Sequence, residues 1–595
     1  MKTSDTYFIS FENTKLPKSI IKKKIAGLEI VFDKLKIDKE EHIVIEDINF
    51  DAYRYRFIDN IAAFIAEKYY HENKIKFKNE YLETNIGHDY IERLIKKEIL
   101  TKSTRIIRDL FLANIALKKN GLKEIFIYNE KLDFEFLYFV KKYLNFKKNI
   151  KFSSSNYYTN KIKKFLFKIY NFVKILFFFE KLLIKSLNNF KNIQKKYIAS
   201  IRIDEGLPFS SYPYSPAIFL NSKNIDNDDV IFYCEKKVEN LTDENRKKYH
   251  ILTSFDDLFK KISFKSYIKN IYIKNFILRI QMMKFFFRFN IFCSIIYNSF
   301  ETIIFWNIFY NIYKVKHNII LTADPGVTPY YMHKKNDVET SFVYPNFTEQ
   351  LSGFLFKELP TSNDWSYLKF DNIYSDKTSK VLFDTIINYK NFFEIGFLFQ
   401  DYILSQDKQI KKENIGFHLE SKIIFFYDGT IGAKGIMTIN EYKSFIDGID
   451  FVLKNTDFCV GLRMKSPQLI NQNKDVENLI INLKKYKRFK LLNELNIERY
   501  SLLNVPDLII SCPLSTILFE ALSLDKKLLI YNPLKRYTKL ANLLFNDSEI
   551  IKSNNKKELL SSINNLLNKR EHKYTSETYF VPAKKGIKNF DKIFN

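Results

Sequence analysis

Three runs in the last third of the chain place residues that can hold an anion after an apolar stretch. The first, FFYDGTIGAKG (Phe425 to Gly435), offers Asp428, Gly429, Thr430, Gly432 and Lys434, and it sets three of the chain's fourteen glycines within seven positions. Glycine loses the most conformational freedom on folding and is used where backbone turns sharply or comes close to another group. The run therefore marks a tight turn or a ligand approach. It fits neither the P-loop, which needs Lys-Ser/Thr after the second glycine, nor G-x-G-x-x-G. In the second run, VGLRMKSP, Arg463 and Lys465 are alternate residues of a strand end and point the same way. Two such cations repel unless an anion or carboxylate lies between them or both are solvated. In the third, IISCPLSTILFEAL, Pro513 stops a strand and Ser515 or Thr516 can cap the next helix, whose free backbone N–H groups favour a phosphate. Glu520, one turn inside on the side of Thr516, could reach a ribose hydroxyl, and a plain helix cap is the alternative. Far upstream, Asp324 in LTADPGVTPYYMHKK ends a predicted strand before a turn. That placement suits a catalytic carboxylate at a cleft, or an Asx turn before Pro325. His333 is a second candidate base, or a surface residue.

Short β-rich runs separated by helical ones must position these residues. HIVIE, EIFIYN, YIASI, VIFYCE, NIILTAD and SFVYP read as strands in the first 350 residues, and the intervening helices imply a parallel sheet with crossovers. Residues 351–413 read as a mostly helical connector, with SQDKQIKKEN as the boundary. From 414 to 560 the pattern is clearest. KIIFFYDG, a helix over TINEYKSFIDGIDFVLKN, DFCVGLRMK, RFKLL, a helix over IERYSLLN, PDLIIS, a helix from STILFEAL and a last strand KKLLIYNP form the β-α-β series of a Rossmann-like lobe. Residues 561–595 read as a tail. The expected fold class is α/β, with two Rossmann-like lobes and basic amphipathic insertions near 158–195 and 258–316 in the first of them.

At 595 residues the chain is too long for one ordinary core. Its four cysteines form no C-x-x-C and no metal-ligand spacing, which points to a reducing compartment and away from structural zinc. MKTSDTYFISFEN lacks the apolar core of a secretory signal. Of the 27 excess positive charges, 18 lie in residues 151–200 (net +10) and 258–290 (net +8). Projected as a helix, Lys161 to Leu187 puts Lys161, Lys164, Lys168, Lys174, Lys181 and Lys185 on one arc and Phe165, Leu166, Ile169, Phe172, Val173, Leu176, Leu183 and Ile184 on the other. A basic face opposite an aromatic and aliphatic one suits a helix lying in a membrane interface. Lys274 to Tyr313 repeats the theme, and Asn298, Glu301, Asn307 and Asn311 interrupt it too often for a span. Buried helices or a partner-binding face are the alternative. Nucleic acid is disfavoured, because the aromatics lie on the apolar arc and are not interleaved with the lysines for base stacking.

Taken in order, the motifs from Phe425 to Pro533 resemble the donor lobe of GT-B glycosyltransferases, especially those of bacterial surface and capsular polysaccharide biosynthesis. FFYDGTIG, VGLRMKSP and YSLLNVPDLIISCPLSTILFEALSLDKKLLIYNP carry the resemblance over about 110 residues, and the first 350 match only in architecture. Bacterial sialyltransferases of this fold carry Asp-Gly, His-Pro and Ser-Ser/Thr motifs. This chain has Asp428-Gly429, Ser466-Pro467 and Ser515-Thr516, so the histidine of a CMP-sugar enzyme is missing. The resemblance implies sugar transfer from a nucleotide-sugar donor, a substrate and not a cofactor, to a growing, lipid-linked surface polysaccharide or glycolipid, without a metal. It implies Asp324, His333 or Asp428 as catalytic groups. Gly429, Thr430, Gly432, Lys434, Arg463, Lys465, Ser515, Thr516 and Glu520 would surround the donor, with the glycines letting backbone approach its phosphate. The expected partners are the donor, a glycan or lipid-linked acceptor and the inner face of the cytoplasmic membrane, with no nucleic acid, for a cytoplasmic protein held peripherally at that membrane. The alternatives are a glycerophosphotransferase-like or non-catalytic relative in cell-envelope polymer synthesis, and a basic nucleic-acid- or membrane-binding scaffold. A GT-A enzyme would need its D-x-D after a strand, and Asp226-Asn227-Asp228 stands ahead of one.

Overall fold

The computed structural model describes residues 6–9, 29–31, 42–44, 58–77, 86–87, 89–120, 124–128, 140, 143, 150–153, 170, 173, 195–203, 225–234, 241–252, 258, 268, 273, 276, 280, 293–321, 326–344, 365–375, 379–395, 410–429, 439–465, 467, 474–495, 497, 499–512, 516–522, 524, 526–533 and 551–568. Their strands form three parallel sheets. The first contains β1 (Thr6–Ile9), β2 (Glu29–Val31), β3 (His42–Val44), β4 (Glu124–Tyr128) and β5 (Ile150–Ser153) in the order β3-β2-β1-β4-β5, with helices α1 (Asp59–Phe77) and α2 (Tyr90–Asn120) between β3 and β4.

The second sheet has seven strands. They are β6 (Lys195–Arg202), β7 (Val230–Tyr233), β8 (Ile251–Leu252) after the short α3 (Asp243–Lys248), β9 (Tyr313–Leu321) after α4 (Cys293–Ile312), β10 (Glu339–Val343) after α5 (Thr328–Lys335), β11 (Lys369–Ser375), and β12 (Asn388–Glu394) after α6 (Lys380–Ile386). Their order is β12-β11-β10-β9-β6-β7-β8. A helix apolar on every side belongs in a core, and α4 obeys this: Ile304, Phe305, Trp306, Ile308 and Phe309 are fully buried. It shares one continuous core with α1, α2 and α5.

The third sheet contains β13 (Ile423–Asp428), then α7 (Ile439–Asn455), β14 (Cys459–Arg463), α8 (Lys474–Lys484), β15 (Phe489–Leu491), α9 (Arg499–Leu502), β16 (Leu508–Cys512), α10 (Thr516–Leu522), β17 (Leu528–Tyr531), β18 (Ile551–Ser553) and α11 (Lys556–Asn568). Its order is β15-β14-β13-β16-β17-β18. Alternate strand residues Ile424, Phe426, Val460, Leu462, Leu508 and Ile510 pack on Tyr442, Phe445, Ile446 and Ile449 of α7 and on Val476 and Ile480 of α8.

The two Rossmann-like lobes are thus the second and third sheets with their helices, and four expectations need correction. Residues 1–350 hold two sheets, the second running on to Glu394. The helical connector at 351–413 contains β11 and β12 of that sheet. Asp371 sits inside β11, where Lys334 and Thr340 bond to it and Lys390 pairs with it, and β12 is an edge strand with mostly exposed side chains, so neither shows an unbroken apolar run. Residues 293–312 of the second basic stretch are core helix, not a surface insertion. KKLLIYNP is not the last strand, and the C-terminal lobe passes 560, because Leu559, Ile563 and Leu566 of α11 lie in its core. Most of 158–195 lies outside the described residues. No helix among the described residues is long and apolar enough to cross a membrane.

Candidate functional site at the strand ends of the C-terminal sheet

Read from β13, the third sheet is wound 3-2-1-4-5-6, so the chain reverses direction across the sheet between β13 and β16. Ligands of open α/β sheets bind outside the carboxyl ends of the strands at such a reversal. The parallel register pairs Tyr427 with Arg463 of β14 on one side and Asp428 with Cys512 of β16 on the other. Two of the three runs singled out in the sequence therefore end beside the central strand that carries Asp428.

Asp428 is 4% exposed. Its Oδ1 accepts a 2.6 Å hydrogen bond from the backbone N–H of Lys465, tying the end of β13 to the residues just past β14. The Tyr442 hydroxyl, from the first turns of α7, lies beside the same carboxyl. Burial pushes the Asp428 pKa up to about 7, against the Lys465 N–H, the Lys465 charge and Tyr442, all of which favour the carboxylate. Burial, with Asp428 nearby, likewise pushes the Tyr442 phenol and the Cys512 thiol upward.

Between the two cations the chain is held a second time. Asn493, in the turn Leu492–Glu494 that follows β15, accepts from Met464 N–H at 2.8 Å and donates to the Met464 carbonyl at 2.9 Å. Met464 is itself buried in the core shared with α7 and α8, which leaves Arg463 half-buried and Lys465 exposed at the sheet end. Sequence reading missed Asn493, because one asparagine in KLLNELN carries no pattern.

The remaining expected site residues are distributed as follows. Gly429 is buried directly after Asp428, while Thr430, Gly432, Lys434 and Ser515 lie outside the described residues. Thr516 is the first residue of α10. Glu520 is fully buried within α10, as are Leu518 and Ala521. Asp324 lies outside the described residues, three positions past β9. β9 borders β6 at the corresponding reversal of the second sheet.

His333 is neither an exposed base nor a surface residue. It is fully buried in α5, with its Nδ1 bonded to the Tyr310 hydroxyl and its ring edge-on to Trp306 at 4.3 Å. Burial depresses its pKa to about 3, with Asp371 pulling upward and Lys334 downward. It is a neutral core ring, and it drops out of the catalytic set.

No protein-family model matches the chain, and no curated protein matches it either. Similar solved structures include UDP-GlcNAc 2-epimerase from Methanocaldococcus jannaschii, at 14% identity and a TM-score of 0.40, covering 67% of this chain and 99% of that one. A glycosyltransferase from Rickettsia africae ESF-5 is similar at 14% identity and a TM-score of 0.37, over 67% and 98% of the two chains. The wall teichoic acid polymerase TagF is similar at 14% identity and a TM-score of 0.33, over 74% and 93%. These likenesses concern the course of the chain and not its site residues.

Proposed function

We propose that the protein transfers a sugar from a nucleotide-activated donor to a glycan or lipid-linked acceptor of a surface polysaccharide or glycolipid. The observation that carries the proposal is the placement of Arg463 and Lys465 at the carboxyl end of β14, next to β13, the strand that borders the reversal of a sheet wound 3-2-1-4-5-6, with Asp428 fixing the Lys465 backbone. Two cations at that point meet the negative charge that builds on a departing nucleotide phosphate, and groups fixed in advance where charge develops act on the transition state more than on the bound substrate. The transfer in this proposal needs no bound metal. Asp428 serves it as a positioning residue, since the Oδ1 of its buried carboxyl accepts from the Lys465 N–H. Asp324, following β9, is the acceptor-side carboxylate that would take the proton of the attacking hydroxyl.

Membrane contact belongs to the same proposal. In the two basic stretches, Tyr170 and Val173 are 61% and 41% exposed, and Ile273 and Phe276 are 60% and 48% exposed. Exposed apolar side chains three positions apart, in stretches whose sequence is rich in lysine, suit an anionic lipid surface. The protein would then sit peripherally on the inner face of the cytoplasmic membrane, where a lipid-linked acceptor is found. A melting screen against UDP-, GDP-, CDP- and CMP-linked sugars, followed by a transfer assay with the stabilising donor, tests the proposal. Stabilisation by one nucleotide class supports it, and stabilisation by none overturns it.

A further inference from the structure

We propose that Asn493 is a positioning residue for the anion-binding strand end, acting through the Met464 backbone to set where Arg463 and Lys465 present their charge. The inference rests on the donor reading above and adds to it a residue that touches no ligand.

Beyond Arg463, β14 has ended, and the sheet no longer fixes the direction of the chain. Three hydrogen bonds replace it. Lys465 N–H goes to Asp428 from the β13 side, and both polar groups of Met464 go to the Asn493 carboxamide from the β15 side. An amide is the side chain for this task, because it donates and accepts at once, while a carboxylate only accepts. Asn493 is in turn fixed by its turn: Leu492 is buried against Gly461 of β14, and Glu494 is ion-paired to Lys484 of α8 at 2.5 Å. A backbone held between the two cations leaves less of the chain to be ordered when a phosphate binds, and that ordering is a main cost of binding.

The test is a double-mutant cycle on the full chain, read by calorimetric titration with UDP, GDP, CDP and CMP. Arg463→Ala should weaken the bound nucleotide on the order of tenfold, as for loss of a hydrogen bond to a charged group. Asn493→Ala should weaken it by a similar factor. In the double variant the two losses should fall well short of multiplying, since residues acting through one another are non-additive. Asn493→Asp, which keeps the acceptor and lacks the donor, gives the same reading if the alanine variant is too unstable to titrate. Unchanged affinity in both Asn493 variants, or losses that multiply with that of Arg463→Ala, would overturn the role of Asn493 and leave the donor site standing. A wild-type chain that binds none of the four nucleotides overturns the donor site and the role together.

Discussion

The Lys465 backbone N–H and the Asp428 carboxylate meet at 2.6 Å, so the side chain that ends the central strand of the C-terminal sheet supports the turn that ends its neighbour. Because that carboxyl is buried and titrates near 7, the support changes charge in the neutral range. The folded lobe keeps the Asp428 proton at pH values where the unfolded chain, titrating near 3.8, has lost it. Stability from this group is therefore lost as pH rises from about 4 through about 7. At 1.36 kcal/mol per unit the interval amounts to about 4 kcal/mol. Asp428→Asn keeps an acceptor for Lys465 and cannot ionise. Its C-terminal lobe should melt higher than wild type at pH 8 and show a flatter profile between pH 4 and 8, followed by calorimetry.

His333 carries the opposite sign. Its folded pKa of about 3 lies below the ordinary 6.5, so the unfolded chain takes up a proton that the folded core refuses, and stability is lost as pH falls below about 6.5. His333→Gln cannot be protonated and should flatten the acid limb of the N-terminal transition, though the core substitution lowers stability at neutral pH. An acid limb as steep as wild type would show that another group carries it.

Gly461 is a further test of the strand-end geometry. A Cβ there would meet Phe425 at 2.7 Å and Leu492 at 2.9 Å, and Leu492 begins the turn that holds Asn493. Gly461→Ala should cost about 1–3 kcal/mol, as for overpacking in a dense core. It should also weaken nucleotide binding, by moving Asn493. Chemical denaturation and titration of the same preparation separate the two effects.

Replacing Lys161, Lys164, Lys168, Lys174, Lys181 and Lys185 with Gln should release the protein from anionic liposomes into the supernatant. Replacing Ile273 and Phe276 with Ser should weaken the salt-resistant part of binding. Unchanged sedimentation of both variants would remove the membrane from the account.

The C-terminal lobe was legible because its strands are short, apolar and bounded by turn residues, and because α7 repeats its apolar residues at helical spacing. The same rules misread α4: its lipid-like composition serves a protein core, and periodicity cannot tell the two solvents apart. β11 and β12 stayed hidden for a different reason. A buried Asp371 satisfied by Thr340 and two lysines from other elements looks polar in one dimension, and an edge strand needs apolar residues on few of its positions. The positions of Arg463 and Lys465 at the end of a strand could be read from alternation. The burial of Glu520 and His333, and the Asn493 clamp, depend on contacts between segments that single-residue spacing does not contain.

In the function proposed above, Arg463 and Lys465 hold the phosphate of a nucleotide-sugar donor. The most direct measurement is the shift in melting temperature of wild type, Arg463→Ala and Lys485→Ala with UDP-, GDP-, CDP- and CMP-linked sugars, followed by turnover with the stabilising donor. Lys485 lies exposed just past α8 and serves as the control. Wild type and Lys485→Ala should be stabilised by one nucleotide class. Arg463→Ala should be stabilised less, in keeping with a roughly tenfold weaker affinity, with turnover lower by about 10² to 10³, as for removal of one preorganised charge-stabilising group. Donor stabilisation and transfer at wild-type levels in Arg463→Ala would contradict that role.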